Sequence, residues 1–323
     1  MDVLPKSKSF ENEAYYWAFF VPLWILPICL FVFGYYEPIS LMLYYHLVFR
    51  LPHFLMTYII LQDRNFFVQD NLKKVFRFFG PPLIIIALVA LFGIYDEKVP
   101  RYFVLGTFVF GFYHNSAQAM GISLMFLQER SAGLVRIIKV AFLVLYILAL
   151  EPMIIFAFKV SHFFDPLVLS SLRTVLAFLT LYILAKTYRR GLGTKFILYY
   201  LSSIFVLFPW SFYDNYLQQF FVHNLHHSIN YLGIGLALTN TSGRSIFKSS
   251  KAWKIYGTCV AISGILAVFF HQDLGRLKNT FGFINCFFFV HYYVESLIWK
   301  DKHLNLKDIE VFKLWKSSAR EVA

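Results

Sequence analysis

The side chains of this 323-residue chain best suited to chemistry are its ten histidines. Seven of them (His46, His53, His114, His223, His226, His227 and His291) lie inside long apolar runs. An ionisable group at membrane depth is costly and marks function by default. Neutral imidazole ligates Fe, Zn and Cu, so a converging set of histidines would hold a divalent metal without a carboxylate. The spacings favour convergence. His46 and His53 are two helical turns apart on one face, and the pairs His114/Gln118 and His223/His227 are each four residues apart. His226 lies about 100° around the helix from His227, so only one of the two is expected to share a ligand with His223. The plainer account of a single membrane histidine is a hydrogen bond between helices. It is the expectation for His46, His226 and His291 taken singly, with a role as additional ligands or beside the ligands as the alternative, whereas His53, His114, His223 and His227 as a set point to a metal. His162, His271 and His303 fall in loops or at span ends and are expected to be solvated.

The elements that must position these residues follow from composition. The chain is 59% hydrophobic and 15% charged, with a mean hydropathy of +0.59. A soluble domain carries about a quarter charged residues, and about 20 apolar residues cross a bilayer core. The expected fold is therefore all-α, a polytopic transmembrane helical bundle of about ten spans. These are placed at 15–35, 38–62, 81–96, 102–127, 138–158, 166–186, 195–211, 216–240, 254–270 and 279–299. Residues 1–323 form a single integral membrane domain with short tails at about 1–14 and 300–323, and no cleavable signal peptide is expected. The loops after the even spans are basic (QDRNFFVQDNLKK, QERSAGLVRIIK, KTYRRGLGTK, SGRSIFKSSKAWK), and those after the odd spans are less so. The positive-inside rule then puts both termini in the cytoplasm, as an even span count also requires, with a bacterial inner membrane as the location. In that topology the seven histidines occupy the second, fourth, eighth and tenth spans, all running in one direction at comparable depth.

The net charge of +12 is accounted for by these loops, so nucleic acid is not an expected partner. Cys29, Cys259 and Cys286 all lie in apolar runs without a spaced motif, which argues against both disulfides and a thiolate metal site. The 39 Phe and 21 Tyr residues suit ordinary lipid-facing helices, and they would also suit a wide apolar cavity. Tyr113, Asn115, Gln118 and Asn230 neighbour the histidines and are candidates for bonding the imidazole N–H groups. Acidic residues within spans are few, namely Glu151 and Glu295. Glu295 shares a helix face with His291 and is expected to reach toward the inner interface, the alternative being that it orients an imidazole.

The order Leu51-Pro52-His53, then His114, then His223-x-x-x-His227 resembles the Brp/Blh family of membrane β-carotene dioxygenases. Consecutive ligand positions are 61, 109 and 4 residues apart, and the likeness covers about 50–230. The resemblance implies a mononuclear Fe(II) held by His53, His114, His223 and His227. It also implies O₂ as co-substrate and cleavage of β-carotene at its central 15,15′ double bond to retinal. Two departures stand out: Phe54-Leu-Met-Thr57 replaces the family's Gly-Ala-Leu-Asp, and this chain has more spans.

His223-Asn-Leu-His226-His227 also matches the HxxHH element of membrane di-iron acyl-lipid desaturases and hydroxylases, although their remaining histidine boxes are absent. A histidine-lined transporter is the non-enzymatic alternative. Pro22, Pro27 and Pro152 could break its helices, but they do not pair across two halves. The expectation is thus an Fe(II)/O₂-dependent oxidoreductase that takes an apolar lipid or carotenoid from the bilayer. Ligand type alone leaves Zn and Cu open.

Overall fold

A computed structural model describes residues 16–20, 52, 53, 55, 57, 71–96, 98–127, 131–189, 193–210, 216–239, 253–262 and 277–298. All regular structure among them is helical. The principal helices are α1 (Asn71–Tyr95), α2 (Lys98–Phe126), α3 (Ala132–Phe158), α4 (Pro166–Arg189), α5 (Thr194–Leu207), α6 (Tyr216–Thr239) and α7 (Leu277–Ile298). Three segments are long and apolar enough to cross a membrane by length and composition: Val75–Tyr95, Ala132–Ile155 and Pro166–Arg189. Few residues of the first and third are buried, whereas 44% of the second is. The chain divides into two compact units. Unit 1 comprises Met1–Met42, Asn115–Gly233 and Lys307–Ala323; unit 2 comprises Leu43–His114 and Ile234–Leu306.

Several helix boundaries differ from the sequence expectation: α2 begins at Lys98 rather than 102 and α3 at Ala132 rather than 138, and two further differences have a visible cause. Residues 71–80 read as loop, yet they form the first turns of α1. Their apolar side chains supply the reason, because Phe78 is buried against Val290 and Val294 of α7, with Phe79, Ile86 and Leu297 packed around them. The helix continues through Pro81 and Pro82, which lack the N–H groups that would bond the carbonyls of Arg77 and Phe78. Tyr293 of α7 compensates at the first of these, its hydroxyl donating to the Arg77 carbonyl at 3.3 Å. The second difference is at α5, which ends at Leu207 rather than near 211. Pro209 disfavours helical backbone in the residue before it, and Phe208 is extended at φ −71°, ψ 137°. The Trp210 indole then donates to the Phe205 carbonyl at 2.7 Å and folds the chain back over the helix end.

In unit 1, Ser131 caps α3 by accepting from the Leu134 amide. The helix ends at Lys159, whose φ of 54° is left-handed, a conformation costing about 1–2 kcal/mol for a residue with a Cβ. The turn that follows is tied down by Glu151. Its carboxylate, 6% exposed, accepts the backbone N–H groups of Phe163 (3.0 Å) and Phe164 (3.2 Å). The acid noted in the fifth expected span thus secures the α3–α4 turn, and His162 within that turn is exposed, as expected.

Candidate metal centre

Unit 2 brings three segments to one point. The helical residues around Pro52 supply His53, α2 supplies His114, and α7 supplies His291 and Glu295. The rotation of α7 follows from its two apolar stripes. Val290, Val294 and Leu297 pack against α1, while Phe288 and Tyr292 pack on Phe110 of α2. His291 and Glu295 are one turn apart and complete the second stripe, so both are carried inward; each is fully buried. Close approach of α2 depends on Gly111. A Cβ there would lie 3.1 Å from the Tyr292 ring. Tyr292 in turn lies against the His114 imidazole, with centroids 5.0 Å apart.

The Nε2 atoms of His53 and His291 are 2.7 Å apart. Glu295 Oε2 is 3.0 Å from His114 Nε2, 3.0 Å from His291 Nε2 and 3.5 Å from His53 Nε2. The ligand atoms of His53, His291 and Glu295 all lie within 4.8 Å of one another. Metal–nitrogen and metal–oxygen bonds of about 2.0–2.2 Å imply ligand-to-ligand edges of roughly 3.0 Å in an octahedron and 3.4 Å in a tetrahedron. The observed separations lie close to those edges. His114 meets the same Glu295 oxygen, and two imidazoles with a carboxylate suit a divalent transition metal better than Mg²⁺ or Ca²⁺. Thr57, fully buried, donates its hydroxyl to the His53 carbonyl at 3.1 Å and so braces the turn that carries this histidine.

Glu295 is therefore turned toward other side chains. It is fully buried and meets three imidazoles, which is the alternative that its spacing from His291 offered. His291, expected singly to be an interhelical hydrogen-bonding group, belongs to the same cluster. Tyr113 is half exposed and stacks on Phe110. Tyr292 is the contributor that sequence reasoning passed over. Its position one residue after His291 was the only signal, and in a chain so rich in tyrosine it did not stand out. His46 lies outside the described residues.

His223, His226 and His227 belong to unit 1, on α6, and all three are buried. The rotation between His226 and His227 is as expected. His226 faces α5, where Ser203 Oγ is 3.5 Å from its Nε2 and the Tyr199 ring centroid is 6.1 Å away. One turn on, Asn230 donates to the His226 carbonyl at 2.7 Å and lies 3.1 Å from its Nδ1. His227 instead bonds through Nδ1 to the carbonyl oxygen of Gln118 on α2. A carbonyl acceptor requires the proton on Nδ1, which leaves Nε2 with the lone pair that a metal or donor would use. Gln118 thus bonds an imidazole N–H, as the sequence spacing suggested. Asn115 is fully buried in the same unit.

No protein-family model, curated protein or solved structure matches the chain.

Proposed function

We propose that the protein is a membrane-embedded, metal-dependent oxygenase acting on a long apolar lipid, with a carotenoid as the first substrate to test. The observation that carries this reading is the buried convergence of His53, His114, His291 and Glu295, four ligand-type side chains from three chain segments. A cluster of ionisable groups in so apolar a chain is costly to bury unless something binds there. Fe(II) is the proposed ion, because the two imidazoles of His53 and His291 with the Glu295 carboxylate match the donors of non-haem iron oxygenases. When bound, it would supply the oxygen chemistry. The surrounding residues do the rest. Thr57 and Tyr292 hold His53 and His114 in place, Glu295 supplies negative charge to offset the cation, and burial keeps water from the reacting lipid.

His223 and His227, the ligands implied by the resemblance to Brp/Blh enzymes, lie in unit 1, where the Gln118 bond orients His227. The bundle itself is proposed to have ten spans and both termini in the cytoplasm.

The direct test is expression in cells that accumulate β-carotene. Bleaching of the orange colour with appearance of retinal is the expected result, abolished by His291→Ala. Unchanged carotenoid together with new double bonds or hydroxyls in the host's acyl chains would replace the cleavage reading with a desaturase or hydroxylase one. Neither change, in cells shown to contain the folded protein, would reject both.

A further inference from the structure

Unit 1 contains a groove between α4 and α5 that plays no part in the histidine cluster of unit 2. Its volume is about 690 Å³, within the range of roughly 300–1,000 Å³ typical of ligand sites. The two helices are neighbours, with the Thr180 and Tyr200 hydroxyls 3.2 Å apart, and the short connection between Arg189 and Thr194 makes them antiparallel. From that register, Arg173 and Trp210 lie at one end of the groove, with Leu181 and Leu198 toward the other. Eight residues of α4 separate Arg173 from Leu181, a run of about 12 Å. Between them the walls are apolar, with Ala177 and Phe205 facing the groove. Leu181 is 63% exposed, so the groove opens along the outer side of the helix pair.

Arg173 is the charged exception in this lining. It stands seven residues inside a 24-residue helix long and apolar enough to cross a membrane, and no carboxylate among the described residues pairs with it. A tryptophan at the same end suits the level of lipid headgroups. A guanidinium above an apolar trough is complementary to one class of molecule, an amphiphile with an anionic head and a long chain. We propose that this groove binds an anionic phospholipid, its phosphate set against Arg173 and an acyl chain lying along α4 and α5. Snorkelling of Arg173 to the interface on its own would need no such occupant, and the two accounts differ in headgroup selectivity.

The test is competition in the intact full-length protein. The chain is exchanged into detergent with equal amounts of dioleoyl phosphatidylglycerol and dioleoyl phosphatidylcholine and weighed by native mass spectrometry. The expected result is about fivefold preferential retention of phosphatidylglycerol, the scale of one arginine acting on an anionic lipid. Arg173→Gln should reduce this ratio to near one, and Ala177→Trp, which fills the groove at an exposed position, should lower retention of both lipids. Equal retention of the two by the unsubstituted chain, an unchanged ratio in Arg173→Gln, or displacement of the phospholipid by equimolar oleate would each overturn the assignment. Metal content enters none of these readouts, so the result is independent of the proposed oxygenase activity.

Discussion

Glu295→Gln is the most discriminating perturbation of the centre, because it removes a negative charge while keeping size and one oxygen. A single oxygen, Oε2, stands 3.0, 3.0 and 3.5 Å from the Nε2 atoms of His114, His291 and His53. A cation held by the His53 and His291 nitrogens would touch this oxygen as well. Losing a hydrogen-bonding partner behind a metal ligand lowers affinity about 10–100-fold. A residue that is itself a ligand should cost at least the upper end, about 100-fold, or about 2.8 kcal/mol at 1.4 kcal/mol per decade. Full burial of Glu295 keeps solvent from supplying a ready substitute. The assay is anaerobic equilibrium dialysis of the detergent-purified full-length chain against Fe(II), with elemental analysis giving stoichiometry and affinity. Glu151→Gln is the matched control. It removes an equally rare buried carboxylate, but one bonded to the Phe163 and Phe164 amides, so Fe(II) affinity should be unchanged. Wild-type affinity in Glu295→Gln, or the same loss in both variants, would refute the argument that this carboxylate holds the ion.

Gly111→Ala should lower the thermal unfolding temperature, since overpacking against Tyr292 costs about 1–3 kcal/mol. Gly106→Ala on the same helix, where a Cβ meets nothing within 4 Å, should raise it or leave it unchanged, and equal behaviour of the two would contradict close packing of α2 on Tyr292. A reporter fused after Lys251 should read as cytoplasmic and one near Glu97 as outside; opposite signals at both sites would reverse the orientation drawn from loop charge.

Helix content and most helix positions were legible in the sequence, because a run of apolar residues needs no distant partner to declare itself. Pro166–Arg189 and Leu277–Ile298 fall within a few residues of the runs read at 166–186 and 279–299. Where boundaries moved, the cause was tertiary at α1, whose early turns are secured by burial of Phe78 on α7. At α5 the cause was local, in the residue before Pro209. The chemistry-bearing residues were also legible as types: His53, His114, His291 and Glu295 all stood out as ionisable groups in apolar surroundings. Their grouping was not. The i, i+4 spacing places His291 and Glu295 on one face of α7, but it does not say whether that face meets an interface or other side chains. The choice was made by rotation of the helix, through Val290 and Val294 against α1 and through Phe288 and Tyr292 against Phe110. Rotation about a helix axis is decided by packing against other segments distant in sequence, so only the tertiary structure could turn Glu295 from an expected interfacial acid into the partner of three imidazoles.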